Sequence, residues 1–268
     1  MPDPGFTVER VPLMRQLVTD IGWVAKQTDP IIGLLEIDVT EPRARIQAHE
    51  AATGVRLSFT AFLVACVAHS VDKHKHVHAI RNWRGQHVIF DDVDVTTMIE
   101  IEADGRKTPV GHIVRGANHK TLQDIHDEIR GVQAAESRSE AAAYVRQLVR
   151  IPRPVRRAMI RAMFQLPTYS KKLRGTVVVT AVGMFGNRGG WAVTLPSHSL
   201  NVLVGGIMAK PGVVDGKIAI RDYLSMTLAF DHRVVDGAPA ARFAVHLQNL
   251  IESAHGLPVS EEAQRQDA

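Results

Sequence analysis

The residues best suited to chemistry lie near the C-terminal end of the chain. Asp231-His232-Arg233-Val234-Val235-Asp236-Gly237 follows directly on the long, mostly apolar run GKIAIRDYLSMTLAF. A histidine at the end of a strand is held rigidly while still reaching a cleft, and its imidazole exchanges protons near neutral pH. That makes His232 a candidate general base. Asp236, four residues later, could orient the turn or support the imidazole. His and Asp are also common in plain surface turns, so spacing alone leaves both readings open.

Other constellations point to less. His69, His74, His76 and His78 could suggest a metal cluster, but no carboxylate or cysteine geometry around them fixes one and the helix is expected to end there, so no metal is expected. His198-Ser199 invites a serine-hydrolase reading, but no GxSxG elbow accompanies it. GNRGG fits neither a dinucleotide-binding nor a Walker pattern and reads as loop geometry. Cys66 is the one cysteine and sits on an apolar helical face, which suits packing and a reducing compartment. No apolar run is long enough to cross a bilayer, and the opening MPDPGFTVERVPL lacks the basic head and apolar stretch of a signal peptide. A soluble, cytoplasmic protein is the expectation. The net charge of +4 is uneven, with eight basic and no acidic side chains from Arg150 through Arg174. Such a patch could meet phosphates, acidic protein surfaces or anionic lipid. No aromatic-interleaved groove or zinc-finger spacing accompanies it, so nucleic acid is not expected.

The elements that must position these residues read as one α/β domain around a mixed sheet. Leu13 to Gln27 has a helical rhythm, with Leu13, Leu17, Ile21 and Val24 on one side. IIGLLEIDVT reads as a strand, a helix follows around Pro42 to Glu50, and Leu57 to Lys73 is a longer apolar helix with Ser58 as N-cap. Short strands are expected at Ala79 to Trp83, His87 to Phe90, Val93 to Ile101 and Pro109 to Arg115, with a turn at Asp104-Gly105. Thr121 to Gln133 is amphipathic, and AAESRSEAAAYVRQLV is a fair helix former. TVVVTAV, NVLVGGI and GKIAIRDYLSMTLAF are strands, and Pro239 to Ser253 is a closing helix. The expected organisation is an N-terminal arm over 1–12, a catalytic domain over 13–255 and a flexible tail over 256–268.

With those blocks in order, the chain resembles the catalytic domain of dihydrolipoamide acyltransferases, the acyl-transferring components of 2-oxo acid dehydrogenase complexes. That domain is related to chloramphenicol acetyltransferase. DHRVVDG is the specific motif; MRQLVTDIGWVAKQTDP, LLEIDVTEPRAR, LSFTAFLVACVAHSV and GTVVVTAVGMFG precede it as weaker blocks. The resemblance implies a two-layer α/β sandwich with a mixed sheet. It implies acyl transfer between coenzyme A and dihydrolipoyl or another thiol. His232 would take the thiol proton, and a thiol with a reference pKa near ~8.5 needs only an imidazole base. GTVVVT aligned with the family pattern GTFTIT gives Thr180 the oxyanion role, as against a β-branched residue filling a strand. Asp236 would maintain site geometry through an arginine, for which Arg15 is the candidate, and Gly237 would allow close backbone approach. The family also implies a homotrimer, or a multiple of trimers, with the site between subunits. Hydrolysis on the same fold and a noncatalytic assembly core are the alternatives.

Several departures stand beside the resemblance. Ala181 replaces the family's asparagine after the oxyanion threonine. The chain begins almost at the catalytic core, so no covalent lipoyl group is expected on it, and a separate lipoyl-domain protein or another acceptor is implied. About 134–174 is inserted material. If Pro154 to Leu166 is helical, Val155, Met159, Ala162, Met163 and Leu166 form an apolar face, with Arg153, Arg157 and Arg161 on another. That basic insert could pack on the core, meet an acidic partner or a membrane surface, or contact the phosphates of coenzyme A.

Overall fold

In the computed structural model, residues 5–103, 106–134, 148–181 and 189–259 are described. The Asp104-Gly105 turn, residues 135–147 of the helix former AAESRSEAAAYVRQLV and most of GMFGNRGG lie outside them.

Helix α1 (Leu13–Ala25) leads into strand β1 (Pro30–Asp38) and helices α2 (Thr40–Thr53) and α3 (Phe59–Lys73). Ser58 caps α3, its Oγ accepting from the Ala61 N–H at 3.3 Å. Two short strands, β2 (Ile80–Arg81) and β3 (His87–Val88), form a separate ribbon. Then come β4 (Val95–Ala103), β5 (Arg106–Val114) and α4 (Leu122–Ala134). The stretch expected to be inserted supplies α5 (Arg153–Phe164) and α6 (Pro167–Arg174). β6 (Val177–Ala181), β7 (Leu200–Val214), β8 (Lys217–Asp231) and α7 (Gly237–Glu252) complete the fold.

The main sheet runs β1-β8-β7-β6-β4-β5 and is mixed. β6 is parallel to both β4 and β7, while the other neighbours pair antiparallel. Side chains alternate across a strand, so Val177, Val179, Leu200, Val202, Leu224, Met226 and Leu228 all point to one face. There they join Phe62, Leu63 and Val67 of α3 and Phe243 and Leu247 of α7 in the core. Phe243 is wholly buried and meets Phe230 edge-on at 5.9 Å. Burying such a ring contributes about 2–3 kcal/mol. This is the α/β sandwich with a mixed sheet that the sequence implies.

The opposite face is crossed by the segment before β7. The Gly190 carbonyl accepts from Gly206 N–H at 3.1 Å, and Gly190 N–H donates to Ser225 Oγ at 3.2 Å. Both bonds sit at a bulge between Val204 and Ile207, where a Cβ on Gly205 would collide with the Gly190 carbonyl oxygen and lie 2.7 Å from that of Ser225. Trp191 Nε1 donates to Leu35 O at 3.1 Å on the next strands over.

The insert packs differently from its sequence pattern. Val155, Met159 and Leu166 are 51%, 40% and 48% exposed, whereas Arg156 is 2% and Ile160 3% exposed. The inward stripe therefore follows 156, 157, 160 and 164, and Val155, Met159 and Leu166 of the expected apolar face are turned to solvent. The reason is Asp20 of α1, which has no exposed surface. A buried carboxylate must be paired, and three arginines of α5 converge on it. Arg156 Nε donates to Oδ2 at 2.6 Å, Arg157 Nε to Oδ1 at 2.8 Å, and Arg153 Nε lies 3.5 Å from Oδ1. Burial by itself would raise the Asp20 pKa. The hydrogen bonds from Arg157 and Arg156 outweigh that and hold the carboxyl below its usual range. Pro167 starts a new helix, so α5 ends at Phe164 instead of running to Leu166.

Candidate active site

β8 delivers His232. The strand's last residues are held on both sides, by β1 up to Asp231 and by β7 up to Phe230. The chain then turns under backbone bonds: His232 N–H to Asp29 O at 2.7 Å, Asp231 N–H to Ser199 O at 3.0 Å, and Val234 and Val235 N–H to Asp231 O at 2.9 and 3.0 Å. Asp231 and Arg233 lock together, with Arg233 Nε 2.8 Å from Oδ1 and Nη2 2.6 Å from Oδ2. That bidentate pair holds the Arg233 guanidinium above its usual range. The turn is rigid and the imidazole is not enclosed. His232 is 53% exposed, and its Nδ1 stands 3.6 Å from Asp236 Oδ1. The separation is ion-pair range and longer than a hydrogen bond, enough to bias the orientation of the imidazolium.

Asp236 precedes α7 and is 83% exposed. Among the described ion pairs it meets His232 and no arginine, and Arg15 lies exposed on α1. A Cβ built on Gly237 meets no heavy atom within 4 Å, so within one chain no close neighbour requires glycine there.

Thr180 is positioned by a second device. Gly175 ends α6 at φ +69°, and a Cβ there would lie 2.7 Å from Asp94 O and 2.8 Å from Thr96 Oγ1. Thr176 follows, its N–H donating to Asp94 O at 2.7 Å and its hydroxyl 3.0 Å from His78 Nδ1. The Gly-Thr pair of GTVVVT thus fixes the entry of β6 beside β4. Alternation then turns Val177 and Val179 into the core and Val178 and Thr180 to the other face. Thr180 is half-buried there in a cleft of about 670 Å³, bounded by Ile21, Trp23 and Ala25 of α1 and by Val193 and Leu195. His232 does not line this cleft. Within one chain, the cleft that Thr180 lines therefore does not include His232.

Next to the His232 turn lies a different cavity of about 320 Å³, which the sequence pattern did not suggest. Asp231, Arg233 and Val234 line it together with Arg81, Arg161 and Arg174. Its arginines come from β2, α5, the end of α6 and the turn itself, so no local spacing unites them. Cys66 is fully buried, and burial pushes its thiol up, out of nucleophilic range. Among the described residues, no three His, Cys, Asp or Glu side chains are placed to hold a metal ion. No helix among them is long and apolar enough to cross a membrane.

The architecture is that of chloramphenicol acetyltransferase: a chloramphenicol acetyltransferase structure superposes with a TM-score of 0.53 at 12% identity, covering 91% of this chain and 99% of that one. More particularly, residues 142–258 match the family model described as 2-oxoacid dehydrogenases acyltransferase (catalytic domain). The structure of a probable dihydrolipoamide acetyltransferase from Listeria monocytogenes superposes with a TM-score of 0.70 at 19% identity, over 94% of this chain and 97% of that one. A curated relative from Staphylococcus epidermidis, the dihydrolipoyllysine-residue acetyltransferase component of pyruvate dehydrogenase complex, is 26% identical over 262 residues. That alignment takes in 94% of this chain and 53% of the relative, so the chain spans about half the length of the relative it matches.

Proposed function

We propose that this chain is the catalytic core of a coenzyme A-dependent acyltransferase, with dihydrolipoyl or another thiol as the second substrate. The observation that carries the reading is His232, rigidly mounted at the end of β8 with an open imidazole and Asp236 at its Nδ1 side. His232 would take the proton from the attacking thiol through Nε2. The thiolate adds to the acyl thioester carbonyl, and the tetrahedral oxyanion accepts a hydrogen bond from a threonine hydroxyl. Collapse breaks the original C–S bond, and the imidazolium returns the proton to the departing thiolate. Thr180 is the hydroxyl assigned to the oxyanion. Because the cleft lined by Thr180 in one chain does not include His232, the reading calls on a neighbouring copy to bring them together, and a trimer or a multiple of trimers is the assembly proposed.

The lipoyl group would arrive on a separate lipoyl-domain protein, and the site is placed in the cytoplasm. The test is to incubate purified protein with a panel of acyl-CoAs, with and without dihydrolipoamide, while measuring mass by light scattering. Acceptor-dependent thioester formation by a trimeric species is expected. Free acid formed regardless of acceptor would instead mean a hydrolase. Absence of turnover in a well-folded trimer would mean an assembly core. An active monomer would overturn the shared site.

A further inference from the structure

The cavity beside the His232 turn has a charge imbalance that the proposed chemistry does not use. Four arginines line it, Arg81, Arg161, Arg174 and Arg233, against one acidic residue, Asp231. Asp231 is already engaged by Arg233 through three contacts between 2.6 and 3.2 Å. Among the described residues, Arg81, Arg161 and Arg174 have no carboxylate within 4.0 Å. Arg174 is the most telling. It leans on the Phe164 ring at 3.9 Å and bonds to neutral acceptors, Ser170 Oγ at 2.8 Å and the Ser197 carbonyl. Burial alone pushes its guanidinium down. The neighbouring His198 adds no charge: burial first, and Arg174 second, push its imidazole down to about 3. Among the described residues, three arginines therefore line one small cavity without a carboxylate partner of their own.

A partly buried, uncompensated guanidinium costs free energy, and a planar fork of N–H donors matches the geometry of phosphate and carboxylate. We infer that this cavity is an oxyanion subsite, bound by Arg81, Arg161 and Arg174, for a phosphate or carboxylate group carried by one of the reaction partners. It rests on the acyl-transfer reading only for the statement that a substrate brings the anion. Arg161 and Arg174 come from the insert, so the insert's role is to build this subsite against the turn that holds the base.

The test is titration calorimetry of the full chain with two probes, pyrophosphate and succinate. Wild-type protein should bind at least one of them, in a manner weakened by added salt. Arg174→Gln could fail to fold, so the decisive variant is Arg81→Gln/Arg161→Gln, both at exposed positions. It should keep the wild-type melting temperature and weaken the bound probe by at least about tenfold, the loss of two charge-assisted contacts. His232→Ala should bind the probe within about twofold of wild type, since His232 does not line the cavity. Preference for pyrophosphate assigns the subsite to a phosphate-bearing substrate, and preference for succinate to an acyl chain ending in carboxylate. Binding of neither probe, or equal binding by wild type and Arg81→Gln/Arg161→Gln, overturns the inference. A chain that binds a probe but transfers no acyl group overturns the transfer reading and keeps the subsite; one that transfers acyl groups and binds neither does the reverse.

Discussion

Replacing Asp20 by Asn removes one negative charge from the centre of three arginines and leaves the side-chain shape almost unchanged. The carboxylate has no exposed surface, and the side chains of Arg156, Arg157 and Arg153 are 3%, 24% and 59% exposed. Arg153 can turn to water at little cost, and Arg157 keeps its stacking over Trp23 at 5.0 Å. Arg156 has neither escape. Its carbonyl partners, Val149 at 2.9 Å and Ile151 at 3.3 Å, satisfy donors without cancelling charge. The expected cost is that of an orphaned buried charge, about 3–5 kcal/mol, concentrated in the α1–α5 contact. Urea denaturation with hydrogen exchange on α5 measures it. Asp20→Leu/Arg156→Met, which removes both charges, should lie closer to wild type than Asp20→Asn. The pH dependence has a definite sign. The folded carboxyl titrates below its ordinary value of 3.8, so its contribution is present above 3.8 and is lost as pH falls through the lower folded value. An Asp20→Asn protein within about 0.5 kcal/mol of wild type at neutral pH would refute the idea that this carboxylate holds the insert.

Three further outcomes are expected. His232→Ala should lower turnover by about 100-fold or more with an unchanged melting temperature, by loss of a general base, and near-normal turnover in a folded variant would defeat that role. Thr180→Val should lower kcat by about 10–1,000-fold with little rise in KM, because an oxyanion contact belongs to the transition state; pre-steady-state acyl transfer that is unchanged would sink it. His78 is fully buried with Nε2 3.1 Å from Phe90 O, so that nitrogen carries the proton and Nδ1 accepts from Thr176. Burial pushes its pKa down from 6.5 to about 4, so the unfolded chain binds the proton first, and stability should fall by up to about 3 kcal/mol as pH drops through that window. A flat urea midpoint between pH 7 and 4 would contradict this.

Much of the fold was legible because its signals are local. Alternation over TVVVTAV and the long run before DHRVVDG marks strands whose odd and even residues must face different environments, and Ser58 announces the start of α3. The His232 turn was legible for the same reason, since its residues are contiguous. The insert was misjudged because periodicity counts arginine as outward-facing, whereas a single buried carboxylate on a helix more than a hundred residues away reverses the face. Asp20 itself gives no sequence sign of burial. The arginine-lined cavity was equally invisible, because Arg81, Arg161, Arg174 and Arg233 meet only through tertiary packing. That the cleft of Thr180 excludes His232 within one chain depends on tertiary packing, which strand patterns without topology do not specify.

The crossing of Gly190 over the bulge in β7 has a consequence for how the gene tolerates change. At position 205 even a methyl group would enter space held by the Gly190 carbonyl, while at Gly237, inside the most recognisable motif, a Cβ meets nothing within 4 Å. In a pooled library of every single-codon change, selected for soluble full-length product, codon 205 should return glycine alone. Codon 237 should accept alanine and serine freely. Selection of the same library for activity would then reveal at codon 237 any constraint that comes from a neighbouring copy or a bound substrate, cleanly separated from the constraint of folding.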